Sequence, residues 1–187
     1  MTPTTQAPAT LDDLMRVKGQ AELIGGRIVR PMPSGMLPNR IAKRIVRRLD
    51  DYSEAFGRGE AFTDNLGYTV DPPLPSGRQS FSPDASYHLG PFPANPMDFI
   101  DGGPTFAVEV RSEHDYGPAM DREYEDKRRD YFQAGTQVVW DVDPVAKTVT
   151  KYTAADPTNP TVFRRGEVAD AEPALPGWRL PVDDIFA

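Results

Sequence analysis

The sequence predicts an α+β fold layered in an α/β/α manner, with a mixed central sheet flanked by helices. Three observations carry this reading. "NRIAKRIVRRLDDYSEAF" (39–56) places Ile41, Ile45 and Leu49 every four positions, the spacing of a helix with one buried face. In "PTFAVEVRSEHD" (104–115), Phe106, Val108 and Val110 alternate as the buried side of a strand. "QVVWDVD" (137–143) is an apolar strand, followed by the turn "DPVAK" and the partner strand "TVTKYT".

The remaining elements fall around these. The Pro/Thr-rich residues 1–10 read as a disordered lead, followed by a single domain over 11–187. Thr10 caps a short helix reaching about Val17, with Asp12 and Asp13 favourable in its first turn. "AELIGGRIVRPMP" (21–33) reads as strand, Gly-Gly turn and strand. Residues 60–80 form strand and loop, broken by "DPPLPSGRQ", and "SFSPDASYHL" (80–89) gives a short strand entered through Pro83. "PFPANPMDFIDGGP" (91–104) reads as a surface connection. A helix is expected from about Ala119 to Ala134, closed by Gly135 at the position just past its end. "ALPGWRLPVDDIF" (174–186) offers Leu175, Trp178, Leu180, Ile185 and Phe186 to the core.

Composition narrows the chemistry. The chain of 187 residues suffices for one sizeable core, and it lacks any apolar run long enough to predict a membrane span or signal peptide. It has no cysteine, which excludes disulfides, thiolate zinc sites and thiol nucleophiles and fits a cytoplasmic setting. Its two histidines, His88 and His114, cannot assemble a His-rich zinc site, and both read as structural or loop residues. Hydrolytic chemistry here rests on carboxylates, lysine and a hard cation. A net charge of −7 argues against general coating of nucleic acid, but leaves room for a local basic patch. Arg40, Lys43, Arg44 and Arg47, with Arg48, flank the apolar stripe of the 39–56 helix; they read as a solvated face or as a ridge contacting DNA phosphates.

Three side chains stand out. Asp84 follows a proline at the start of a strand. Glu109 projects from the face opposite Phe106, Val108 and Val110, together with Arg111; the pair reads as an ion pair or as half of a metal site. Lys127 lies in the stripe of its helix, since Met120, Tyr124, Lys127 and Tyr131 fall within about 60° of one another at 100° per residue. Two neighbouring carboxylates stay ionised only when they share a cation, and a hard cation so held polarises a phosphodiester and activates water. A nearby ammonium stabilises the charge that develops. Arginine is too weak an acid to serve as a base, so Arg111 is cast as a phosphate or transition-state contact.

"SPD" (82–84), "VEVRS" (108–112) and "EDKRRDYFQAGTQVVWDVDP" (125–144), with "AELIGGRIVRPMP" and "ALPGWRLPVDDIF", resemble the Uma2 family, also called DUF820. The resemblance spans nearly the whole chain. It implies a restriction-endonuclease-like core of the PD-(D/E)XK kind, in which the lysine has moved from the strand to the following helix. Carried over, it makes Asp84, Glu109 and the carbonyl of Val110 ligands of Mg²⁺ or Mn²⁺ and Lys127 the catalytic cation. Glu22, at the glutamate before the family's turn, joins the metal directly or through water. Gln133 and Tyr131 become supporting residues. The sequence departs from many relatives at Asn39, where they carry histidine, and at Arg111, where they carry an aliphatic residue.

The function implied is a Mg²⁺-dependent endodeoxyribonuclease acting on DNA, as a homodimer, because cutting both strands favours two symmetry-related sites. Intact Asp84, Glu109 and Lys127 favour it. The acidic charge and Arg111 favour the alternative, a nuclease-fold scaffold that binds DNA or protein without cleavage. A hydrolase of small phosphoesters is a third reading, opposed by the basic flank.

Overall fold

A computed structural model describes residues 7–187. The first six residues of the expected disordered lead lie outside the described residues. Ala9 is bonded into the fold, its N–H donating to the carbonyl of Gly26 at 2.8 Å. Thr10 caps α1 (Leu11–Met15), its hydroxyl accepting from the Asp13 N–H while the Asp13 carboxylate accepts from the N–H of Thr10.

β1 (Glu22–Ile24) and β2 (Arg27–Val29) form a hairpin through Gly25 and Gly26, whose φ values of 56° and 70° suit the tight turn that glycine favours. The long helix α2 (Met36–Phe56) follows, ending at Gly57 in the left-handed region. β3 (Glu60–Thr63), β4 (Tyr68–Thr69), β5 (Ser80–Phe81) and β6 (Ala85–His88) come next. β7 (Ile100–Asp101) lies within the expected surface connection. There Ile100 is buried and pairs with Tyr68 in a small sheet ordered β5-β4-β7, because an isolated apolar pair can still close a strand by a distant partner.

β8 (Phe106–Val110), α3 (Pro118–Gln133) and β9 (Val138–Asp143) form the central crossover, β8 and β9 pairing in parallel. Pro118 occupies the start of α3, where its missing N–H costs nothing, and Gly135 takes φ 99° beyond its end. β10 (Thr148–Thr153) and β11 (Asp156–Phe163) extend the sheet; β12 (Val168–Asp170), β13 (Arg179–Pro181) and α4 (Val182–Ile185) complete the chain. The main sheet is mixed and runs β11-β10-β9-β8-β6-β3.

Alternation along β8 and β9 divides the interior in two. Phe106, Val108, Val110, Trp140 and Val142 face Ile41, Ile45 and Leu49 of α2, joined by Leu175, Trp178, Leu180 and Ile185 from the C-terminal segment. Ala107 and Val139 face the other way, toward Tyr131 of α3, with Tyr68, Phe81 and Ile100. Glu109 shares the parity of Ala107 and therefore lies on the α3 side. Trp140 anchors the larger core: it meets Phe106 edge-on at 5.2 Å, lies 5.2 Å from Trp178, and donates its indole N–H to the Asp170 carbonyl at 3.0 Å. It is core, as the sequence indicates.

Replacing Trp140 by alanine is expected to cost about 3–5 kcal/mol in urea unfolding, through lost burial and an unfilled cavity. Val145→Ala, in an exposed turn, should stay within about 0.5 kcal/mol.

Candidate active site

The site begins where the β6–β8 ladder stops. Antiparallel pairing sets Ala85 opposite Val108, so the next outward-facing pair on that edge is Pro83 with Val110. Proline has no N–H to give the Val110 carbonyl. The ladder stops there, and the Val110 N–H donates to Oδ2 of Asp84 at 2.7 Å rather than to the Pro83 carbonyl. One backbone position thus fixes the Asp84 carboxylate beside the strand that carries Glu109, and its own carbonyl points to the same edge.

Glu109 is 9% exposed at the end of β8. Its Oε1 receives two donors from α3, the Lys127 ammonium at 2.8 Å and the Tyr131 hydroxyl at 2.6 Å. Lys127 and Tyr131 are four residues apart and so share one helix face. The same ammonium lies 3.7 Å from Oε1 of Glu22 in β1. Asp84, Glu109, Lys127 and Glu22, far apart in sequence, are brought together, and Tyr131 supports them as the resemblance implies. Gln133 is exposed and points away from this role.

Sequence reasoning missed Arg78. The residue is 7% exposed, and its guanidinium bonds Oε2 of Glu22, donates to Oδ2 of Asp130 on α3 at 3.0 Å, and reaches the Ser80 carbonyl at 3.2 Å. The other Glu22 oxygen, Oε1, accepts the Ser82 N–H at 3.0 Å. Arg78 sits among turn residues with no periodicity to mark it, and Asp130 lies outside the stripe of Met120, Tyr124, Lys127 and Tyr131.

The charges follow from this geometry. Burial, and then the facing charge of Glu109, push the Asp84 carboxyl up to about 7, against the opposing pull of the Val110 N–H and Lys127. Burial disfavours the charge on Lys127, but Glu109 and Glu22 outweigh it and raise its pKa above the ordinary lysine value. Lys127 is therefore a permanent cation and not a proton acceptor. Burial likewise opposes ionisation of Glu22, yet Lys127 and Arg78 hold its pKa below the usual carboxylate range.

One expectation is corrected. Arg111 does not pair with Glu109, nor is it free for a phosphate. It grips Asp141 of β9 with two bonds of 2.9 Å, and its Nη1 donates to Asp121 at 2.8 Å and to the Asp115 carbonyl at 3.1 Å. Parallel pairing sets Asp141 beside Glu109, so a guanidinium two residues past Glu109 reaches the next strand. The basic flank of α2 lies across the sheet from Glu109. Arg44 donates to the Ile185 carbonyl at 3.0 Å and Arg48 pairs with Asp184, whereas Arg40, Lys43 and Arg47 are exposed. A hollow of about 420 Å³ lined by Arg44, Arg47, Arg48, Asp50 and Asp184 lies there, far from the carboxylate pair and mixed in sign.

The donor set fits a hard divalent cation. Asp84, Glu109, Glu22 and Asp130 face only Lys127 and Arg78, which leaves two negative charges uncompensated when all are ionised. No three His, Cys, Asp or Glu side chains among the described residues converge as a cage. Asp84, Glu109 and the Val110 carbonyl are the oxygen donors that would suit Mg²⁺, an ion that favours oxygen ligands.

Comparison with known proteins bears on the fold and the family. A crystal structure of a protein from Anabaena variabilis ATCC 29413, described as "a putative nuclease belonging to DUF820", has the same fold at a TM-score of 0.73, with 23% identity over 96% of this chain and 98% of that one. No curated protein matches the chain. No helix among the described residues is long and apolar enough to cross a membrane. The Uma2 family model, described as "Putative restriction endonuclease", matches residues 9–183, and this protein belongs to that family.

Proposed function

We propose that this protein is a Mg²⁺-dependent endodeoxyribonuclease that hydrolyses DNA phosphodiester bonds. The observation that carries the reading is the convergence of Asp84, Glu109 and Lys127 in a network short of two positive charges. Asp84, Glu109 and the Val110 carbonyl would hold the cation, which supplies an activated water and neutralises a phosphate oxygen.

The chain's own residues do the rest. The Val110 N–H fixes Asp84 and Tyr131 fixes Glu109, so neither carboxylate reorganises when it meets substrate. The Lys127 ammonium, held at the Glu109 edge, offers fixed positive charge to a phosphate that gains negative charge in the transition state. Because its pKa lies above the ordinary value, it contributes charge rather than taking the proton of water. Cleavage of both strands calls for two copies of the chain, each presenting one centre.

A second reading, a nuclease-fold protein that binds DNA without cutting it, is favoured by the net charge of −7 and by the Lys127 ammonium already seated on Glu109. Plasmid cleavage and DNA binding, measured with Mg²⁺ or Mn²⁺, separate the two. Lys127→Met keeps length and apolar packing, and is expected to lower cleavage about 10²–10³-fold while DNA affinity changes little. Equal cleavage by wild type and variant removes Lys127 from catalysis. Binding without cleavage by wild type selects the second reading.

The Asp84 carboxyl gives a pH signature. Its pKa is raised from 3.8 to about 7, so the folded state is favoured by the protonated form, and that contribution is lost as pH rises from about 4 through 7. A cation needs the ionised form. Mn²⁺ is therefore expected to raise Tm more at pH 8 than at pH 5. Asp84→Asn should abolish that Mn²⁺ response and, without metal, stabilise the fold at pH 8 by on the order of 2 kcal/mol. Equal Mn²⁺ shifts at both pH values would rule out Asp84 as a ligand.

A further inference from the structure

We infer that Glu22 and Arg78 are positioning residues that hold the Lys127 ammonium at Glu109, and that Glu22 is not itself a metal ligand. The inference rests on the metal-dependent reading above and reassigns one residue that the family resemblance gives to the metal.

Both Glu22 oxygens are already taken by donors. Oε2 is bonded by Arg78, while Oε1 accepts the Ser82 N–H at 3.0 Å and lies 3.7 Å from the Lys127 ammonium. A carboxylate ringed by a guanidinium, an ammonium and an N–H has little left to offer a third cation, and coordinating one would mean giving up a buried partner. Arg78 is held in turn from the opposite side, where its Nε donates to Asp130 at 3.0 Å and its guanidinium lies 5.3 Å from the centre of the Phe81 ring.

The contacts form a closed circuit of alternating charge. Asp130 and Lys127 lie one helical turn apart on α3; Arg78 connects Asp130 to Glu22, and Glu22 returns to Lys127. The hairpin carrying Glu22 is tied into the same place, since the Leu23 N–H donates to the Ser80 hydroxyl at 2.7 Å and the Gln79 N–H to the Leu23 carbonyl at 2.8 Å. The ammonium is thus shared between a carboxylate fixed by Arg78 and the carboxylate that faces Asp84. Sharing limits how strongly Lys127 competes with a metal for Glu109, while keeping the ammonium at the site.

The test is a double-mutant cycle read by Mn²⁺ affinity, from calorimetry or electron paramagnetic resonance of the full chain. It uses wild type, Glu22→Gln, Lys127→Met and the double variant. Glu22→Gln alone should weaken Mn²⁺ binding about tenfold, because Lys127 then rests on Glu109 only. In the Lys127→Met background the same change should matter by less than about threefold, since the residue it acts through is gone. Glu22→Asp, which keeps the charge opposite Arg78, repeats the cycle if Glu22→Gln fails to fold. A loss of about thirtyfold or more in both backgrounds would make Glu22 a direct ligand and overturn the inference, as would no change in either. Absence of Mn²⁺ binding by folded wild type would overturn the metal site itself, an outcome distinct from both.

Discussion

The absence of one hydrogen atom, at the nitrogen of Pro83, shapes this protein's chemistry. An ordinary residue there would extend the β6–β8 ladder past Ala85 and give its N–H to the Val110 carbonyl. Proline ends the pairing, so the edge of β8 opens at the point where Glu109 emerges. With the pairing ended, the Val110 N–H no longer meets the Pro83 carbonyl, and Asp84 supplies its acceptor at 2.7 Å. The requirement that buried backbone groups be paired therefore draws a carboxylate to the side of a second carboxylate. Each raises the cost of ionising the other, as the raised pKa of Asp84 beside Glu109 records.

Two polar networks lie side by side on the α3 face, and their charge balance differs. Around Asp141, the guanidinium groups of Arg111 and Arg128 meet the carboxylates of Asp141 and Asp121, so the charges cancel. Around Glu109, four carboxylates meet two cations. Burying unbalanced charge is costly, and a fold selected for stability alone would add a cation or remove a carboxylate. The deficit is confined to the edge where Asp84 and the Val110 carbonyl meet. A structural ion network explains the first cluster completely; it does not explain the second.

Strand parity and helix period made Glu109 and Lys127 legible, because each is polar at a position whose local pattern can be read within a few residues. Asp84 stood out through the proline before it. Helices, the Gly-Gly hairpin, the crossover strands and the C-terminal packing residues were legible for the same local reason. β11 was not: Pro157 and Pro160 interrupt "DPTNPTVF", most of its residues are exposed, and it holds only because an edge strand tolerates missing donors. Arg78 and the true partner of Arg111 were hidden by distance along the chain. The placement of the basic α2 flank was hidden too, since the helix pattern says which side is buried but not which face of the sheet it covers.

Arg111 shows how a residue outside the Asp84–Glu109 pair can still shape its surroundings. Parallel register sets Asp141 directly beside Glu109 on the same face, so a third carboxylate stands within reach of the site by topology alone. Left unpaired, it would deepen the repulsion felt by Asp84 and Glu109. The two-pronged grip of Arg111, reinforced by Arg128 at 3.7 Å, occupies both Asp141 oxygens and neutralises them. An aliphatic side chain at position 111 would leave that work undone unless residue 141 or its other partners differed as well. Arg111 thus makes physical sense as the counter-ion of a neighbouring strand, one that neutralises Asp141 beside Glu109.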